Sequence, residues 1–312
     1  MGISNKHVLQ QGPVLATLGR AALTAMRQQI DARLGKPSPS GMPPIPSQEV
    51  HETLPPRPAD LVRDYIRHTG GDPAAYRGMV PPHLFPQWGF PLTARTLEGL
   101  PYPLVRVLNG GCRLQMNAPL PADQPLEVRA RLEHVDDNGR RAVIHQRIVT
   151  GTIEIPDAVV ADLYAIVPLG EPKAQASSNG APREAKQVVR VPEHAEELAR
   201  WRIGPQAGLD FAKLTGDFNP VHWVRPYARA FGFRSTILHG FATMARAIEG
   251  LQRTMFSGSV HALHVVDVKF TKPLVLPAKV GLYVLGDQLF VGDAPGGPAY
   301  LAGSFTRRET LS

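Results

Sequence analysis

The segment from Phe211 to His222 reads Phe-Ala-Lys-Leu-Thr-Gly-Asp-Phe-Asn-Pro-Val-His and carries a carboxylate, Asp217, and an imidazole, His222, five residues apart. No single regular helix can hold both. Pro220 removes a backbone donor, fixes its own φ and drives Asn219 away from the helical region. Gly216 adds a position free to turn. An irregular segment of this kind can aim two side chains at one point. A carboxylate and an imidazole converging on one water molecule make a device for general acid–base chemistry. Asn219 can hydrogen-bond within the loop and hold the carboxylate, or simply stabilise the turn.

The elements around this segment follow a plan used twice. Each half opens with helical segments around a Thr-Gly turn, His68-Thr69-Gly70-Gly71-Asp72 in one and Leu214-Thr215-Gly216-Asp217 in the other. A turn and a helix follow, then strands, with Leu114 to Pro121 echoing Val268 to Val275. Leu126, Val128, Ala130 and Leu132 alternate with charged residues, the pattern of a half-buried antiparallel strand. Further strands are predicted over 141–150, 158–167, 262–270, 280–285 and 300–306. The second half holds one strong helix, Gly240 to Met255. Its Phe241, Met244, Ile248, Leu251 and Met255 share a face, while Arg246, Glu249 and Arg253 fall largely elsewhere. The equivalent stretch of the first half contains Pro81, Pro82, Pro86 and Pro91, so its helix should be short, kinked or displaced. A long helix followed by antiparallel strands predicts an α+β arrangement, a sheet wrapped on a helix.

Two proline- or serine-rich stretches, 35–58 and 170–187, lack a periodic apolar face and read as linkers. They divide the 312 residues into an N-terminal helix and linker (1–58), a first domain (59–169), a linker (170–187) and a second domain (188–312). The N-terminal helix is expected to start near Pro13. Arg20 interrupts its apolar run, which argues against a secretory signal. With no apolar run long enough to span a bilayer, a cytoplasmic protein is expected. The single cysteine, Cys112, excludes an intrachain disulfide and a cysteine-based zinc site, and reads as a buried thiol. The net charge of +7 is scattered, without the interleaved basic and aromatic run of a nucleic-acid groove. His261 and His264 have no metal-ligand partners at suitable spacing, so no metal is expected.

Residues 211–228 resemble the signature of the MaoC-like dehydratases and R-specific enoyl-CoA hydratases (hydratase 2). Phe211, Leu214, Thr215, Gly216, Asp217, Asn219, Pro220, Val221, His222 and Ala228 fill its places. Ile237-Leu238-His239-Gly240 matches a second stretch common in members. One departure is Val224, where many members carry an acid; local packing rather than the reaction class should feel it. The resemblance covers the second half, and the first half is similar to the degenerate partner of double-hotdog members, with a reduced first helix.

The resemblance implies reversible hydration of trans-2-enoyl thioesters to (R)-3-hydroxyacyl thioesters in fatty acid metabolism, by a water held between Asp217 and His222. Gly240 stands at a predicted helix start, where backbone N–H groups are free and the dipole favours negative charge. The resemblance implies that this N–H forms the oxyanion hole. His239 is expected to be a hydrogen-bonded structural residue. Coenzyme A or acyl carrier protein would carry the substrate, with no further cofactor. Arg225, Arg229, Lys269 and Lys272 could meet the carrier, although ordinary surface charge explains each. The reduced first helix would leave room for a medium or long acyl chain. A homodimer is compatible with this plan. The competing readings are a non-catalytic acyl-thioester-binding or assembly subunit and a hotdog thioesterase.

Overall fold

The computed structural model describes residues 2–12, 42–104, 107–169 and 188–308. The expected N-terminal helix from Pro13 and the linker 170–187 lie outside the described residues. Ten strands form the main sheet: β1 (Val50–Leu54), β2 (Leu108–Met116), β3 (Leu126–Asp137), β4 (Arg141–Gly151), β5 (Val159–Pro168), β6 (Glu196–Ile203), β7 (Leu263–Phe270), β8 (Ala278–Leu285), β9 (Gln288–Gly292) and β10 (Ala299–Arg307). Among the described residues six α-helices accompany them: α1 (Lys6–Leu9), α2 (Ala59–Thr69), α3 (Pro86–Thr96), α4 (Ala207–Thr215), α5 (Arg225–Ala230) and α6 (Gly240–Met255).

The strand order is β1-β3-β4-β5-β2-β7-β10-β9-β8-β6. Read outward from the centre, the first half runs β2-β5-β4-β3-β1 and the second β7-β10-β9-β8-β6, the same order displaced by five strands. The repeat extends to the short pairs Met79–Val80 with Leu120–Pro121 and Ile237–Leu238 with Leu274–Val275. Each half supplies an antiparallel sheet, as the double-hotdog expectation has it. Strands β2 and β7 pair antiparallel, from Gly111↔Lys269 to Gln115↔Val265, and join the two halves' sheets into one. The pairing removes an exposed edge from each half. This is a double hotdog, α+β in class.

One apolar core runs through both halves and includes Trp88 and Leu92 of α3 and Phe241 and Ile248 of α6. Helix α6 is buried on more than the apolar face its period marks. Ala242, Thr243, Ala245, Ala247, Glu249 and Gln252 are also covered, because the helix lies between the sheet and helices of the first half. Helix α3 spans 11 residues against 16 for α6, and it continues through Pro91. Its indole Trp88 Nε1 donates to Thr150 Oγ1 at 3.0 Å.

The expected linker 35–58 contains a strand. In β1, Val50 to Leu54 pair with β3, and His51 and Thr53 meet Glu127 at 2.7 and 2.9 Å. A five-residue edge strand needs only one partner and carries little periodic signal. Cys112 is fully buried on β2, and burial pushes its thiol up.

Candidate active site

Helix α4 delivers the first catalytic candidate. It ends at Thr215, whose Oγ1 donates back to the Phe211 carbonyl at 2.9 Å. Gly216 caps it with φ 82°, a left-handed conformation that glycine adopts without a Cβ penalty. The chain then leaves the helix, so Asp217 lies outside α4. Asn219 is extended, as its following proline requires, and accepts from the Val221 amide at 3.2 Å. That bond opens a 3₁₀ turn, Pro220–His222, which carries the imidazole round to face Asp217. Asn219 therefore holds the turn; its own amide approaches Asp217 Oδ1 only at 3.4 Å.

The second contribution comes from the strand-to-helix junction before α6. His239 is the N-cap of α6, and its ring stacks on that of His222 with centroids 3.5 Å apart and planes 25° apart. His239 Nε2 donates to the Asp217 main-chain carbonyl at 3.0 Å and lies 3.8 Å from Asp217 Oδ2. His222 Nδ1 donates to the Ile237 carbonyl at 2.9 Å. A carbonyl only accepts, so each bond fixes a tautomer. His222 keeps its lone pair on Nε2, and His239 keeps its lone pair on Nδ1. Asp217, His222 and His239 each offer a ligand atom within 4.8 Å of the others.

Burial lowers the pKa of His222, opposed by the carboxylate of Asp217 and the bond to Ile237. Burial drives His239 well below the ordinary histidine value, with His222 pushing the same way. Both rings are thus neutral near pH 7. Three such side chains could in principle hold a metal. Stacked rings, however, send their in-plane lone pairs side by side, whereas an ion needs them to converge. The arrangement suits proton transfer better.

Gly240 is the first residue of α6. The amides of Ala242 and Thr243 both donate to the His239 carbonyl, and the Gly240 amide has no acceptor among the described residues. A Cβ on Gly240 would lie 2.8 Å from the Phe270 ring. Four residues are expected at the site from the sequence: Asp217, His222, Asn219 and Gly240. The structure brings the first two together, places Asn219 in the supporting turn, and sets Gly240 one residue beyond the stacked His239. Val224 N-caps α5. Arg225 and Arg229 are exposed on α5, and Lys272 lies over the Tyr300 ring at 5.7 Å.

Two groups beside the site escaped sequence analysis. Phe211 bridges from His239, at 4.9 Å, to His68 of α2, at 6.4 Å. Arg246 of α6 lies close enough to His68 to act on its charge. The only sequence signal was a basic residue inside an otherwise well-covered helix.

Aromatic rings gather where α3 meets the start of α6. The rings of Phe85, Phe90 and Phe270 surround Phe241 edge-on, with centroids 5.6, 5.3 and 5.3 Å away. Phe85 is the N-cap of α3 and Phe90 lies within it.

Residues 182–286 match the MaoC like domain. The chain is 26% identical over 197 residues to 3-hydroxyacyl-thioester dehydratase X of Mycobacterium tuberculosis (strain ATCC 25618 / H37Rv), a match covering 62% of this chain and 66% of that protein. It is 23% identical over 180 residues to the peroxisomal enoyl-CoA hydratase 2 of Arabidopsis thaliana, covering 56% and 58% respectively. Each match spans less than two thirds of the relative's length. Among solved structures, HtdX of Mycobacterium tuberculosis superposes with a TM-score of 0.63 at 21% identity, over 84% of this chain and 100% of that one. A MaoC-like dehydratase from Phytophthora capsici superposes with a TM-score of 0.65 at 16% identity, over 85% and 97%. These structural likenesses bear on the fold alone.

Proposed function

Residues 182–286 of this chain match the MaoC like domain, and on that premise we propose that it hydrates trans-2-enoyl thioesters reversibly to (R)-3-hydroxyacyl thioesters in fatty acid metabolism. The observation that carries the reading is the meeting of the Asp217 carboxylate and the His222 ring, with ligand atoms within 4.8 Å, beside the unclaimed amide of Gly240.

In the hydration direction a water sits between Asp217 and His222 Nε2. Its oxygen attacks C3 of the conjugated alkene, and a proton is delivered to C2. One water supplies both, so no net proton leaves the site. Negative charge develops on the thioester oxygen, which the Gly240 N–H and the positive end of α6 stabilise. Neutral His222 is ready to accept a proton, and Asp217 favours the imidazolium once formed. His239 holds the Asp217 backbone and the face of His222. The thioester arrives on coenzyme A or acyl carrier protein, and no other cofactor enters. We assign the chemistry to 188–312, with 59–169 as its degenerate partner, and the reaction to the cytoplasm; among the described residues no helix is long and apolar enough to cross a membrane.

The test mixes the protein with a trans-2-enoyl-CoA and follows the absorbance of the conjugated bond. Loss of absorbance without free thiol, giving the (R)-alcohol on chiral analysis, supports the reading. Free thiol would indicate a thioesterase, and saturable binding without turnover a carrier or assembly subunit. Asp217→Asn and His222→Ala are each expected to lower kcat by at least about 100-fold with the fold intact. Near-normal rates in either variant would refute the assigned roles.

A further inference from the structure

Helix α6 presents two flanks beside the catalytic pair. One is closed by the rings of Phe85, Phe90 and Phe270 around Phe241. The other faces α2 and is polar. Arg246 lies seven residues after His239, so the two share a face about 10 Å apart along the axis. Helical side chains lean toward the N-terminus, which carries the guanidinium back toward the site. His68 faces it from α2, and the Phe211 ring links His68 to His239.

Three buried atoms on this flank lack a partner: Arg246 Nε, His68 Nε2 and His239 Nδ1. Arg246 makes no hydrogen bond or ion pair among the described residues. Glu249, one turn along α6, is taken by His83, with His83 Nε2 to Glu249 Oε1 at 3.1 Å. Burial, with Arg246 adding to it, pulls His68 down to about 3, so its ring is neutral. Arg246 cannot shed its charge at neutral pH, and burial without a counter-charge is costly. It is nevertheless only half-buried, so part of the guanidinium reaches open space. A cation kept without an acid, in reach of a reaction site, implies that the ligand brings the anion.

We infer that Arg246, supported by His68, is a specificity-determining residue that binds a carboxylate at the far end of a short acyl chain. The preferred substrates are enoyl thioesters of dicarboxylic acids. This rests on the thioester reading above. With the thioester oxygen on the Gly240 amide, a chain of about five carbons spans the two helical turns, shortened by the lean of the side chain. The carboxylate matches the guanidinium fork, and the neutral His68 ring adds a hydrogen bond. The carrier's phosphates have other cations, since Arg225 and Arg229 are exposed on α5. The expectation of a medium or long plain acyl chain gives way, because the apolar flank is filled.

The experiment uses two unreactive thioesters of equal chain length, glutaryl-CoA and pentanoyl-CoA, titrated calorimetrically into the full chain. Glutaryl-CoA is expected to bind at least about tenfold more tightly. Arg246→Met should abolish that preference while leaving pentanoyl-CoA affinity within about twofold, with His68→Leu intermediate. Arg246→Lys keeps the charge without the fork and should retain part of the preference, which covers the case of a methionine variant that does not fold. Equal affinities in the wild type, binding of neither ligand, or an equal loss for both in Arg246→Met would overturn the inference; the last would mean contact with the shared carrier or a structural role. Neither ligand needs turnover. A glutaryl preference without hydration of any enoyl-CoA sinks the hydratase reading alone, whereas hydration without the preference sinks this one alone.

Discussion

At the scale of single residues, the site depends on which nitrogen holds a proton. The Ile237 carbonyl claims Nδ1–H of His222, which leaves Nε2 as the basic atom of that ring. Protonation of Nε2 would remove that acceptor. Burial holds His222 below the ordinary histidine value of about 6.5. The ring therefore stays neutral at pH 7, and activity is lost only as pH falls through the lowered value. The acid limb of kcat/KM should accordingly lie below pH 6.5, measured across pH 4.5–8 against an enoyl-CoA, with both pH figures set by about the reference value. Asp217 raises the pKa of His222, so the residual activity of Asp217→Asn should show a limb moved further toward acid. A limb at or above the ordinary value, or one moved upward in Asp217→Asn, would mean that another group limits the rate. His239 cannot supply the limb. It is buried, well below the ordinary value, and its Nε2 proton is committed to the Asp217 carbonyl.

At the scale of elements, the start of α6 governs how closely a substrate can approach. Gly240 lies so near the face of Phe270 that an alanine there must move the ring or the helix start. Gly240→Ala is expected to lower kcat by about 100-fold, the loss typical of a displaced oxyanion donor. Adding Phe270→Leu should restore part of it by making room. Full activity in Gly240→Ala would show that the close approach does not matter. The meeting of Asp217 and His222 was legible because glycine, asparagine and proline punctuate the segment and bar a regular helix. The repeat was legible too, since Thr69-Gly70 and Thr215-Gly216 cap α2 and α4 in the same way, with φ of 94° and 82° at the glycines. The polar flank was not. A helical period marks one apolar face, so Arg246 and Glu249 were read as lying largely off that face. Only the packing of the sheet on one side and α2 on the other shows that Glu249 is enclosed and Arg246 half-buried. Strand β1 was missed for the opposite reason: one neighbour suffices for an edge strand, and prolines dominate the surrounding composition.

At the scale of the molecule, the two halves act as one body. Pairing of β2 with β7 joins their sheets, and one core crosses between them. A buried polar network adds a second link. His83 meets Glu249 across the halves, Tyr65 donates to the His83 carbonyl at 2.7 Å, and Tyr76 donates to Gln252 Oε1 at 2.9 Å. The residue after the capping glycine is Asp217 in the second half and Gly71 in the first. A Cβ at Gly71 would overlap the Glu249 carboxylate. The first half has no acid at this position, and the Glu249 carboxylate from α6 of the other half lies against it, 3.1 Å from His83 Nε2. Removing one partner of a buried pair leaves the other unsatisfied, so Glu249→Ala should cost about 3 kcal/mol or more. Urea unfolding at neutral pH should show that loss as a lower midpoint. The wild type should unfold in one transition reported alike by Trp88 of the first half and Trp201 of the second. Two separated transitions would contradict a shared core. Acid should weaken the same body. His68, His222 and His239 are all held neutral in the fold by burial, while in the unfolded chain each takes a proton below about pH 6.5. Above that pH neither state is charged, and these groups give no pH dependence. Below it the unfolded state binds more protons, so stability falls as pH falls, by up to about 1.4 kcal/mol per pH unit for each histidine. For His68 the loss continues down to about pH 3. Urea midpoints taken between pH 7 and pH 5 should therefore decline, and His68→Leu should flatten the decline. An unchanged slope in that variant would mean that His68 is already charged or solvated in the folded protein.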